Sequence, residues 1–397
     1  ADLLASSPII PKWGADDEDS KTPLRGPFLD AMANLSTCFG LPGKAQPFKR
    51  IPGLALPSGS LVYRGDVVPL HIYDFAMHLF HMHGTPEALT FYVPKLETEE
   101  EAAYLATVAR TAERLVKEQL NPAYVLGTVR FLIVLENPRA VFRIDEIMDA
   151  LYPYFAGASL GWHDYVAAAG RVFREDESYR MPCKSDPHIV VRHIRESHLH
   201  LVRRVKPRGG IAIGGMYGIL PLDRDIASVS MQATLVGLVR DVYCQLRRGL
   251  DGFWLAHPDF IRFGIALVEA WNRDVASLGS LDLRGPLRTL PTVERVVRAL
   301  VQNAAHADEL IAQLRAPDGA ALDRSDPIYH RALLAAEISA DAAVMANNDE
   351  REVRYNVFQA LQYLADWLRG NGCVALPATV LGAQVRVMDD LATTERS

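Results

Sequence analysis

Two carboxylates near the middle of the chain, Glu136 and Asp164, stand where metal-assisted chemistry would need them. Phe131-Leu132-Ile133-Val134-Leu135 is an apolar run too short for a membrane span and bounded by Asn137-Pro138. It reads as a buried parallel strand, with Glu136 where the strand runs out. A helix over about Ile144 to Tyr152 follows, and then a second strand-like segment that ends in Asp164-Tyr165. Carboxylates at the exits of two successive strands collect metal ligands at the mouth of an α/β barrel. The same pattern also describes a strand-end Glu and a loop Asp that are merely solvated.

Other residues with chemical potential carry two readings each. The run Asp16-Asp17-Glu18-Asp19 follows the first strand and, taken alone, is a solvated loop. Arg50, just before the Pro52-Gly53 turn, is by itself a surface ion-pair residue; at the end of a barrel strand it would point into the site. Asp390 begins a C-terminal helix, where the macrodipole favours a carboxylate in any case. The pairs Gly209-Gly210 and Gly214-Gly215, the latter followed by Met216, mark a tight strand exit or a loop that approaches a phosphate. His257 reads equally as a satisfied rim histidine or a functional one. His78, His81 and His83 crowd one helix end without a zinc-like spacing, so a structural role is preferred. The basic stretch from Arg192 to Arg208 reads as a solvated face able to attract phosphates.

The elements that must position these residues recur along the chain. Strand-like segments occur at Pro8 to Trp13, Pro47 to Ile51, Leu89 to Val93, 131–135 and the segment before Asp164. Further ones lie at His188 to Val191, Ile211 to Ile213 and Phe253 to Ala256, with helices such as Thr98 to Gln119 and Gln232 to Arg248 between several of them. Repeated βα units imply parallel strands and right-handed crossovers. Eight strands favour a closed TIM (β/α)8 barrel, with a doubly wound open sheet as the alternative. From about Ser280 the texture changes: a Gly- and Pro-containing linker leads to helical periods over 293–315, 328–345 and 353–368. The expectation is a barrel domain over 1–280 and a C-terminal helical domain over 281–397.

At 397 residues and 49% hydrophobic content the chain can bury a full barrel and a second domain. A net charge of −6 gives no reason to expect nucleic acid as a partner. Cys38, Cys183, Cys244 and Cys373 are scattered without metal or disulfide spacing, which suits a reducing compartment. No signal-peptide pattern and no apolar run of about 18 residues is present, so a soluble, cytoplasmic protein without membrane partners is expected. The chain opens at Ala1 without a methionine, and flanking residues are expected at its ends.

Several of these segments together resemble the malate synthase family. That family carries L-I-E-T-L-P-A-A-F-E-M-D-E-I followed by G-R-W-D-Y, and this chain has Leu135-Glu136-Asn137-Pro138 through Ile144-Asp145-Glu146-Ile147, then Gly161-Trp162-His163-Asp164-Tyr165. Ala15-Asp16-Asp17-Glu18-Asp19-Ser20 is similar to the family's A-D-F-E-D-S, with Asp17 in place of the aromatic. Phe48-Lys49-Arg50-Ile51-Pro52-Gly53 is similar to V-R-P-R-G at its first arginine. Leu361 to Gly372 and Met388 to Glu395 resemble I-Q-Y-I-E-S-W-L-R-G-N-G and M-E-D-A-A-T-A-E, with a longer connection between them. Arg208 to Met216 and Ala256-His257-Pro258 resemble R-R-G-A-H-A-I-G-G-M and A-H-P.

The resemblance implies a Mg2+-dependent acyltransferase that condenses acetyl-CoA with glyoxylate and releases malate and CoA. Glu136 and Asp164 would hold Mg2+, a cation that takes one or two carboxylates plus substrate and water. Asp390 would be the catalytic base, Arg50 would stabilise the enolate, and Glu18 would help organise the metal site. Gly214, Gly215 and Met216 are the candidate cofactor-binding residues. The departures at 161–164 and 190–197 would alter the pocket wall, so another 2-oxo acid, a carrier-protein-bound acyl donor, or a lyase cleaving a malyl-type thioester stay open. A degenerate barrel acting as a binding or scaffold protein is the non-enzymatic alternative.

Overall fold

The structure is a computed structural model that describes residues 7–39, 45, 47–176, 179, 193–278, 282–319, 321–334 and 350–395. In chain order, β1 (Trp13–Asp16), α1 (Arg25–Ser36) and β2 (Pro47–Arg50) lead to a hairpin of β3 (Pro57–Tyr63) and β4 (Asp66–Pro69). Then come α2 (Leu70–Met82), β5 (Thr90–Val93), α3 (Glu99–Gln119), β6 (Arg130–Leu135), the short α4 (Pro138–Phe142) and α5 (Ile144–Leu151). β7 (Phe155–Leu160), α6 (Trp162–Val172), α7 (Ile194–Val205), β8 (Ile211–Tyr217), the two-residue β9 (Ile219–Leu220) and α8 (Val229–Arg247) follow. After β10 (Gly252–Leu255) and α9 (Ile261–Leu278) come α10 (Pro291–Leu300), α11 (Ala304–Arg315), α12 (Pro327–Leu333) and α13 (Glu350–Trp367). The last described elements are β11 (Val374–Val380), β12 (Ala383–Asp389) and α14 (Leu391–Glu395).

The main sheet runs β1-β2-β5-β6-β7-β8-β10 with every ladder parallel. It curls until its two edge strands face each other. The Trp254 indole of β10 lies against Gly14 of β1, with its ring centroid 6.2 Å from Phe48 and 5.4 Å from Tyr92. The expected α/β barrel is therefore present, its interior filled by side chains. Six of the eight expected strands lie in this sheet; the first is displaced, forming over Trp13–Asp16 rather than Pro8 to Trp13, and the segment His188 to Val191 falls outside the described residues, as does Cys183. β7 pairs directly with β8, from Gly157 opposite Ile211 to Ser159 opposite Ile213.

Strand alternation explains how the barrel is filled. Phe131, Ile133 and Leu135 face outward into a core shared with Phe91, Val93, Leu105, Ala109, Ile147 and Leu151. Leu132 and Val134, also buried, belong to the inward row that Glu136 continues. A second core joins α8 and α9 to Leu287, Val293, Val297 and Leu310, so α10 and α11 pack directly on the barrel's outer helices. The helix α3 starts at a capping box, with Thr98 Oγ1 accepting from Glu101 N at 3.2 Å and Glu101 Oε2 accepting from Thr98 N at 3.1 Å.

Two expectations about local structure are corrected. The strand before Asp164 stops at Leu160; Gly161 caps α6 and Asp164 sits in its first turn. The C-terminal part is not wholly helical, because residues 374–389 form the antiparallel pair β11–β12, extended by β9 into a three-stranded sheet. Leu381-Gly382, at φ +49° and +74°, makes the tight turn, and the alternation of buried Ala383 and Val385 with exposed Gln384 and Arg386 matches a pleated strand. Among the described residues no helix is long and apolar enough to cross a membrane.

Candidate active site

Parallel barrel strands put all their carboxyl ends on one rim. Here β1, β2, β5, β6 and the β7–α6 junction bring Asp16, Glu18 and Asp19, Arg50, Lys95, Glu136 and Asp164 to that rim. Glu136 is only 4% exposed, and its Oε2 accepts a hydrogen bond from Lys95 N at 2.7 Å. It lies across Gly161, where any Cβ would overlap its carboxyl group, so the glycine is required by close approach. Asp164 reaches the same point from α6, within hydrogen-bonding reach of Glu136. Burial and the neighbouring Asp164 push the Glu136 carboxyl well above the usual range; burial and Asp19 raise Asp164.

Two cations face this acidic group. Arg50 grips Asp16 with a bidentate fork, Nε at 2.7 Å and Nη2 at 2.6 Å, and extends Nη1 to Asp19 at 3.0 Å and Glu18 at 3.4 Å. Asp16 is oriented by Glu18 N at 3.0 Å and by Ser20 N and Oγ at 3.1 and 2.6 Å. Lys95 Nζ lies 2.7 Å from Glu18, 3.0 Å from Asp19 and 3.1 Å from Asp164. Its backbone is left-handed at φ +52°, a conformation that costs a non-glycine residue roughly 1–2 kcal/mol. Burial opposes the ammonium charge, but Asp19, Glu136, Glu18 and Asp164 outweigh it and hold the group protonated. Glu18, buried and beside Asp19, is pushed up to about 8.

The far end of the chain reaches this rim through α13. The Tyr363 hydroxyl donates to the Asp19 carbonyl at 3.3 Å and the Trp367 indole N–H to the Lys21 carbonyl at 2.9 Å. Gly372 abuts the Ser20 backbone so closely that no Cβ fits. Beyond β12, Asp390 caps α14, accepting from Thr393 N at 3.1 Å and Thr393 Oγ1 at 3.0 Å. Asp390 is 8% exposed; burial and then Asp19 push its carboxyl up to about 6, with Thr393 and Arg50 pulling the other way.

The five residues Glu18, Arg50, Glu136, Asp164 and Asp390 are thus brought together. Gly214 is placed differently: its Cα faces Gln245 of α8, where a Cβ would collide. Gly215 faces open space and Met216 is half-exposed at the end of β8. Sequence reasoning missed Lys95 and Asp19; the position of Lys95 just past β5, matching Glu136 past β6, was the available signal. The Asp17 substitution is explained by Lys49, which pairs in the interior with Asp17 and, at 2.9 Å, with Asp74 of α2. His78 Nε2 bonds the Ala88 carbonyl at 2.9 Å and His83 Nδ1 the Phe80 carbonyl at 2.7 Å. Part of the departing segment 190–197 lies outside the described residues, and His257 caps a short turn through Asp259 N at 3.2 Å.

The donor chemistry at the rim suits a hard divalent cation. Among the described residues no group of three or more His, Cys, Asp and Glu has metal-holding geometry; Glu136 and Asp164, the expected ligands, lie together at the rim. Two carboxylates meet the usual protein contribution to Mg2+, and the Asp164 Oδ1 that would face a cation is held meanwhile by Lys95 Nζ at 3.1 Å.

A family model for the malate synthase TIM barrel domain matches residues 48–280, and one for the malate synthase C-terminal domain matches residues 347–397. Malate synthase A of Escherichia coli (strain K12) is 25% identical over an alignment covering 96% of this chain and 64% of the relative. Malate synthase of Oryza sativa subsp. japonica is 26% identical, covering 88% and 53%. The chain therefore spans roughly half to two thirds of the length of these relatives. The ternary complex of Haloferax volcanii malate synthase with pyruvate and acetyl-CoA superposes with a TM-score of 0.53 at 14% identity, covering 96% of this chain and 78% of that one.

Proposed function

The chain belongs to the malate synthase family, and we propose that it is an acyltransferase condensing acetyl-CoA with glyoxylate to give malate and CoA. Asp390 takes a proton from the methyl group of the thioester. Arg50, fixed by its fork to Asp16, stabilises the resulting enolate oxygen, an electrostatic contribution of roughly several kcal/mol in a preorganised site. The enolate carbon then bonds to the aldehyde carbon of glyoxylate, and water cleaves the malyl thioester to malate and CoA. Glu136 and Asp164 would hold Mg2+, which supplies polarisation of the 2-oxo acid's carbonyl. Glu18, close to both cations, keeps the rim ordered.

The observation that carries this reading is that Asp390, from the end of the chain, lies in the electrostatic field of Arg50 and Asp19, and that Asp19 also acts on the carboxylate pair. The test is CoA release from acetyl-CoA and glyoxylate with Mg2+, comparing the parent with Asp390→Asn. Turnover in the parent that falls by about 10²–10⁴-fold in the variant is expected. Absence of turnover with Mg2+-dependent binding of a 2-oxo acid would move the substrate, not the chemistry. In the departing segments Trp162 packs 5.1 Å from the His193 ring, and pyruvate, the 2-oxo acid of the Haloferax volcanii ternary complex, belongs in the same assay as glyoxylate.

A further inference from the structure

We propose that Lys95 is the positioning residue of the metal site, a built-in counter-ion that holds the ligating carboxylates together without metal and competes with the cation for them. This rests on the preceding reading of Glu136 and Asp164 as ligands.

The charge balance at the rim points to it. Asp16, Glu18, Asp19, Glu136 and Asp164 face Arg50 and Lys95, and Arg50 directs its fork at Asp16. Lys95 touches both proposed ligands, Glu136 through its backbone N–H at 2.7 Å and Asp164 through Nζ at 3.1 Å. The same ammonium ties in Glu18 and Asp19. Its left-handed backbone turns N–H and side chain toward one rim directly after β5. The side chain is 30% exposed, whereas those of Glu18, Asp19 and Asp164 are 2%, 2% and 6% exposed. The Lys95 side chain is therefore more exposed than the carboxylates it holds, and its ammonium rides on a flexible four-carbon stem that can withdraw, unlike the Arg50 fork. A divalent cation bound by Asp164 displaces Nζ from Oδ1 and is repelled by it, so Lys95 sets the metal affinity below what the bare carboxylates would give.

The experiment is calorimetric titration of Mg2+ into metal-free parent, Lys95→Met, Lys95→Gln and Lys95→Arg, with thermal unfolding of each at zero and saturating Mg2+. The neutral variants are expected to bind Mg2+ at least about tenfold more tightly. They should also melt lower without metal and recover most of the difference with it, while Lys95→Arg stays close to the parent. A residue with a merely structural role would not tighten binding when removed. Uptake by the parent with no gain in either neutral variant overturns this inference alone. A flat titration in the parent and in both neutral variants overturns the metal-site reading and this inference with it. The pair Lys95→Met and Lys95→Gln guards against one variant failing to fold, since either suffices for the comparison.

Discussion

Asp390 must be ionised to accept a proton, and burial beside Asp19 lifts its carboxyl to about 6. The base form is therefore lost as pH falls through that value. The kcat/KM of the condensation should drop about tenfold per pH unit below about 6 and level off above it, as a pH–rate profile between about pH 5 and 8 would record. A profile flat to the acid end would count against Asp390 as the base. Asp390, Glu136, Asp164, Arg50 and Glu18 could be picked out because each sits in a run that resembles a family motif, whereas Arg50, Glu18 and Asp390 taken alone read as surface, solvated or capping residues. Lys95 had only its place just past β5 to mark it. Its partners lie 41 to 77 residues away in sequence, and no local pattern marks a lysine whose backbone is to become left-handed.

Among the elements, β2 shows how one short strand serves two purposes. Phe48 packs inward near Trp254, Lys49 turns outward to Asp17 and Asp74, and Arg50 ends the strand on the rim. Lys49 is 1% exposed, and the two carboxylates beside it are buried as well. Lys49→Met would leave them without a counter-charge. It should cost about 3–5 kcal/mol, measured as a lowered urea midpoint at unchanged slope. An unchanged midpoint would mean the trio contributes nothing net. The capping box of α3 and the apolar run of β6 were legible because local chemistry specifies them. The end of β7 was misjudged: the strand-like texture runs on to Tyr165, but close packing of Glu136 on Gly161 starts a helix there. The β11–β12 hairpin was missed because its alternation sits between two helical segments that set the expectation.

For the whole molecule, the decisive contact is the docking of the C-terminal segment on the Asp19–Lys21 loop by Tyr363, Trp367 and Gly372. Glu136, Asp164 and Lys95 all belong to the barrel, whereas Asp390 does not. Deleting residues 350–395 should therefore retain Mg2+ uptake by calorimetry and reduce turnover by at least about 10²–10⁴-fold. Loss of both together would mean that the C-terminal segment also shapes the metal site. The sequence by itself determined the βα repeat, the strand-exit carboxylates and the family, because strand period, apolar runs and motif spacing are local properties of the chain. Only the tertiary structure decided which charges share one rim, that Lys95 binds four of its residues, and that Asp390 carries a raised pKa. Those facts depend on distance and burial in three dimensions, and the electrostatic energy of a carboxylate is set by what surrounds it in space, not by its neighbours along the chain.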